Sequence, residues 1–115
     1  MTLYWFSAKL RFVCLIEGHG ATRYMDSVFI FQATDFQPAF EKVLKLGRTR
    51  EEQYSNEAKE IVAWRLAFVI SLDRLGSELS DGAEIYSEPV PLQAGESIPF
   101  DAVFEPENSR PTQTV

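Results

Sequence analysis

The sequence predicts an α+β domain: a mostly antiparallel sheet in β-β-α-β-β order, one main helix packed on one face, and an extended C-terminal arm. Three observations carry this. In residues 60–72, Val62, Trp64, Leu66, Phe68, Ile70 and Leu72 are large and apolar, and Ile61, Ala63, Arg65, Ala67, Val69 and Ser71 between them are smaller and mixed. Successive side chains of a strand point to opposite sides of the pleat, so this period of two predicts a strand with one heavy face. Its length, about twice the usual five or six residues, suits the centre of a sheet. Residues 4–17 alternate in the same way, and residues 36–47 instead repeat at helical spacing.

Taken in order, the first strand puts Tyr4, Phe6, Ala8, Leu10, Phe12, Cys14 and Ile16 on one face. Trp5, Ser7, Lys9, Arg11, Val13, Leu15 and Glu17 share the other, polar in its middle and apolar at both ends. Gly18-His19-Gly20 permits a reversal, because glycine accepts positive φ. A second strand over residues 25–33 follows, closing a hairpin with a longish loop. Thr34 and Asp35 can each cap a helix, and Gln37 three residues after Thr34 completes a capping-box pattern. Pro38 falls in the first turn, where it breaks no intrahelical bond. Phe36, Ala39, Phe40, Val43 and Leu44 form the buried stripe, with Leu46 behind and Gly47 as terminator.

Residues 48–59 are polar and read as a connection holding a short second helix. After the long strand, residues 73–80 read as a turn region, Asp81-Gly82 as a tight turn and residues 83–88 as a short outer strand. The simplest sheet order is then second, first, third, fourth, reached by a right-handed crossover through the helix. Five of the six prolines follow, in residues 89–111. Residues 1–88 are therefore a compact α+β domain and residues 89–115 a Pro-rich arm and tail, in which 97–104 can add an edge strand. The sheet face away from the helix would carry Trp5, Val13, Leu15, Ala63, Ala67 and Val69, too apolar for plain solvent surface. The arm residues Val90, Leu92, Ile98, Phe100, Val103 and Phe104 are the favoured cover; a symmetric homodimer is the rival to a monomer.

The charge is uneven. Residues 1–50 hold seven Lys/Arg against four Asp/Glu, and residues 51–115 hold four against thirteen. A net charge of −6 disfavours nucleic acid, whose backbone needs concentrated Lys/Arg, and suits a basic protein partner. The single cysteine forms no internal disulfide, which a reducing cytoplasm favours. No apolar run reaches the ~18–20 residues of a membrane span, and Lys9 and Arg11 interrupt the first apolar stretch, so neither membrane nor signal peptide is expected.

No residue pattern carries recognisable chemistry, and no cofactor or metal is expected. His19 has no His or Cys neighbour to share a metal and reads as an exposed loop residue. Cys14 lies on the inward face and reads as a small buried side chain, since a nucleophile needs a base and access. Gly95-Glu96-Ser97 lacks the second glycine of a nucleophile elbow. Glu84 and Glu88 fall on one side of the short outer strand, with Tyr86 between them, as a charged outer face. Trp64 and Arg65 point to opposite faces, and Trp64 reads as core.

Certain residues nevertheless line up with a known pattern. They are Trp5 with Lys9 and Leu10; Ala33; Ala39-Phe40; Tyr54-Ser-Asn56; Val62-Ala-Trp64-Arg65; and Asp81-Gly82-Ala-Glu84-Ile85-Tyr86-Ser87. In their order and spacing they resemble a family of small bacterial proteins known as domain of unknown function forty-two eighty-eight, over about residues 5–88. The resemblance implies a bacterial, cytoplasmic protein and supplies no activity or catalytic residues.

The expected function is a non-catalytic protein-binding or regulatory module, in its sharper form an acidic immunity-type protein that neutralises a basic partner. Trp5, Val13, Leu15, Glu84 and Glu88 are its candidate interaction surface. The rival reading is a small-molecule binder or enzyme, with a cleft between helix and sheet or at a dimer interface.

Overall fold

The computed structural model describes residues 1–112. Strands β1 (Tyr4–Ile16) and β2 (Gly20–Ala33) form a hairpin, followed by helix α1 (Phe36–Thr49), strand β3 (Glu52–Ser55) and strand β4 (Ile61–Gly76). The sheet order is β2-β1-β4-β3, with every neighbouring pair antiparallel. The α+β class, the β-β-α-β-β order and the C-terminal extension are those expected, and the two long strands do lie side by side.

The fourth strand is a different segment from the one predicted. Residues 52–55 take the edge beside β4, where a second helix was expected, and residues 83–88 form no strand. Glu52, Gln53 and Ser55 hide this from any hydrophobic count, because an exposed edge strand needs only backbone pairing on one side. Residues 97–104 form no strand either. The hairpin is tighter than expected: His19 N–H donates to the Ile16 carbonyl (2.8 Å), and Gly18 and Gly20 take φ of 85° and 74°. Residues 20–24 are all exposed and extend the hairpin into solvent.

The core forms between the helix and one sheet face. Phe6, Ala8, Leu10 and Phe12 of β1, Phe31 and Ala33 of β2, and Ala39 and Val43 of α1 are its buried members. Cys14 is buried on the same face as expected. Asp35 caps the helix by accepting from Phe36 N–H (2.8 Å), while Gln37 turns to Glu41 and no capping box forms. Gly47 does not end the helix, which runs on to Thr49. Instead it lets α1 approach the sheet: a Cβ there would lie 2.8 Å from Leu66 Cδ2 and 3.2 Å from Leu10 Cδ1.

The heavy face of β4 is not continuous. Its pairing with β1 shifts register between Arg11 and Phe12 and again between Lys9 and Leu10. Each shift inserts one extra residue on β4 and so exchanges the faces that follow. Val62, Trp64 and Leu66 face the helix, but Phe68 comes opposite Arg11, on the other side, and Val69 comes opposite Leu10. Phe68 is 57% exposed and Ile70 41%, whereas Val69 and Leu72 pack against the core. The expected inward places of Phe68 and Ile70, and the outward place of Val69, are thereby reversed.

Candidate functional site

On the sheet face away from the helix (the open face), charges gather on β1. Arg11 makes a two-pronged bond to Asp26 of β2, Nε to Oδ1 at 2.8 Å and Nη2 to Oδ2 at 2.9 Å. Lys9 Nζ lies 3.7 Å from Asp26 and 2.7 Å from Glu88 Oε2, which also accepts from the Tyr86 hydroxyl (2.9 Å). The Lys9 ammonium sits 5.1 Å from the centre of the Tyr86 ring. Lys9 holds the Glu88 carboxyl below its ordinary range, with help from Tyr86, and Glu88 in turn raises the Lys9 pKa. Arg11 does the same to Asp26.

This latch places residues 86–88. Because β2 and β4 flank β1, a segment touching Lys9 must cross the sheet face and cannot run along its edge. Ser7, on the same side as Lys9, is fully buried, as a cover there requires. Of the five residues expected to form an interaction surface, Trp5, Val13 and Leu15 are half-buried on the open face. Glu84 is exposed beside Asp73 and Arg74, while Glu88 turns inward to Lys9 and is no part of a free acidic pair.

Beyond Glu88 the arm does not cover the sheet. Val90, Leu92, Ile98, Phe100, Val103 and Phe104 are all exposed. The radius of gyration is 18.9 Å, against about 13 Å for a compact chain of this length, so the arm projects. Residues 113–115 of the expected tail lie outside the described residues.

His19 is exposed as predicted but has a partner that sequence separation concealed. Its Nε2 lies 2.7 Å from Glu60 Oε2, and Asn56 binds both the Glu60 carboxylate and its backbone N–H. Asn56 first, then His19, holds the Glu60 carboxyl below its ordinary range. The cluster ties the β1–β2 turn to the β3–β4 turn.

A second surface lies on the helix side, past the C-terminal end of α1. There the sheet is uncovered, leaving a cleft of about 370 Å³ lined by Phe12, Arg23, Met25, Ser27, Phe29, Arg50, Glu52, Tyr54 and Trp64. Arg23, Met25, Ser27 and Phe29 share this face because β2 alternates from Arg23 onward, after a bulge at Thr22 that brings Arg23 opposite Cys14. Arg23 lies over the Trp64 ring at 5.5 Å and Arg50 over the Phe29 ring at 5.0 Å. The Trp64 indole N–H points to the Tyr54 hydroxyl (3.4 Å). Trp64 thus packs against the core, as expected, and also forms a wall of the cleft. Starting β2 at residue 25 concealed Arg23, and only the chain's return after α1 brings in Arg50.

One helix on one face of a four-stranded antiparallel sheet, with a latch on the open face and a cleft beside the helix, defines a small two-layer α+β domain. The chain belongs to the family described as Domain of unknown function (DUF4288), whose family model matches residues 5–87. No curated protein and no solved structure matches the chain. Every cleft residue, Lys9 and Tyr86 fall inside the matched span; Glu88 and the projecting arm fall outside it. Among the described residues, no helix is long and apolar enough to cross a membrane.

Proposed function

We propose that this protein is a non-catalytic binding module that neutralises or regulates a basic protein partner, which it engages through its arm. One observation carries the reading: the arm concentrates acidity and exposed apolar groups together. Residues 89–115 hold four Asp/Glu against Arg110 alone, while residues 1–88 hold ten Lys/Arg against thirteen Asp/Glu. The arm thus carries −3, half of the net −6, in 27 residues, against the same −3 spread over the 88 residues before it. Six large apolar side chains stand exposed along the same segment. Opposite charge speeds encounter and rejects wrong partners, and apolar anchors supply most of the affinity. A cytoplasmic setting suits the free, buried Cys14.

The test is affinity capture with the full chain and with a chain ended after Glu88, followed by titration of the purified partner. A basic protein held only by the full chain, with affinity falling steeply between low and high salt, is the expected result. Equal capture by the shortened chain would refute the reading.

A further inference from the structure

Independently of the arm, we propose that the cleft past the end of α1 binds a small organic anion: a flat aromatic body bearing a carboxylate or a phosphate. The volume of about 370 Å³ is that of a small-molecule site. Phe12, Phe29, Tyr54 and Trp64 give it aromatic walls, against which a planar ligand gains area and stacking. The anion is indicated by Arg23 and Arg50. Among the described residues neither guanidinium makes an ion pair or side-chain hydrogen bond, in a chain with seventeen Asp/Glu. Arg11 and Arg74, by contrast, each reach an aspartate.

Stacking explains how the pair is held without a protein partner. A guanidinium lying on a ring keeps its N–H groups at its edges, free to grip two oxygens of a carboxylate or phosphate. Arg23, from β2, and Arg50, from the turn after α1, both line the cleft, where one ligand can meet the two. Glu52, on the β3 side, is the counterweight. It disfavours a second negative group nearby and can accept a hydrogen bond from an N–H or O–H of the ligand.

The experiment titrates the full chain with 2-naphthoate and with phenyl phosphate, using 2-naphthylmethanol and 2-naphthylmethylammonium as neutral and cationic controls. Calorimetry gives the affinities, and the two indole N–H resonances report the location. At least one anion should bind, shifting Trp64, which lines the cleft, and leaving Trp5, on the opposite face, unmoved. Whichever of the two binds more tightly identifies the anionic group. Arg23→Gln and Arg50→Gln should each weaken binding about tenfold with an unchanged unfolding midpoint, since both side chains are exposed. The proposal is overturned if neither anion binds at millimolar concentration or if Trp5 alone moves. Equal binding of the neutral alcohol, or equal binding by both glutamine variants, overturns it too.

Discussion

Replacing Phe68 by alanine tests whether the register shift between Arg11 and Phe12 turns this side chain away from the helix. If the alternation ran unbroken, Phe68 would lie in the core beside Leu66, and its loss would cost about 3–5 kcal/mol, the range for emptying a buried phenylalanine site. In the structure Phe68 is 57% exposed. Only about two-fifths of the burial term is then at stake, roughly 1 kcal/mol from the ~1.5–3 kcal/mol of full burial. No closed cavity forms on an open face, so no cavity term adds to it. Phe6, 1% exposed and stacked on Phe31 at 6.0 Å, is the internal standard for a full core loss. With a urea slope of about 2 kcal/mol per molar, Phe68→Ala should lower the unfolding midpoint by about 0.5 M and Phe6→Ala by about 2 M. Equal drops for the two variants would show that β4 keeps one face as far as Phe68 and that this shift is not there in solution.

Gly47→Val should destabilise by about 1–3 kcal/mol through overpacking, because the added carbons meet Leu66 and the fully buried Leu10. An unchanged melting temperature would mean that the helix stands further from the sheet. The latch predicts a pH dependence. Glu88 and Asp26 are held below their ordinary values of 4.5 and 3.8. Their contribution is therefore complete above those values and is lost as pH falls through the lowered ones, where the unfolded chain takes up protons first. The raised pKa of Lys9 acts at the other end: its contribution is complete below 10.5 and fades as pH rises through the folded value. Thermal unfolding followed from pH 6 to pH 2.5 should show a shallower acid decline in Glu88→Gln than in the unaltered chain; identical slopes would remove Glu88 from the latch.

By itself the sequence determined the elements that bury side chains at regular spacing. Phe6, Ala8, Leu10, Phe12 and Cys14 repeat every two residues, Ala39 and Val43 stand four apart, and each spacing is the direct imprint of a buried face. Asp81-Gly82 and Gly18-His19-Gly20 were legible as turns because backbone conformation there rests on one or two residues. Edge strand β3 was not legible, since hydrogen bonding to β4 leaves no mark on Glu52, Gln53 and Ser55. The reversal of Phe68, Ile70 and Val69 was equally hidden: a one-residue register shift depends on what β1 offers opposite, and β4 alone does not contain that. Both surfaces with functional promise arise from pairs far apart in the chain, Lys9 with Glu88 and Arg23 with Arg50. Sequence fixes what such groups can do chemically, but which of them meet is decided only when the strands pair and the helix packs.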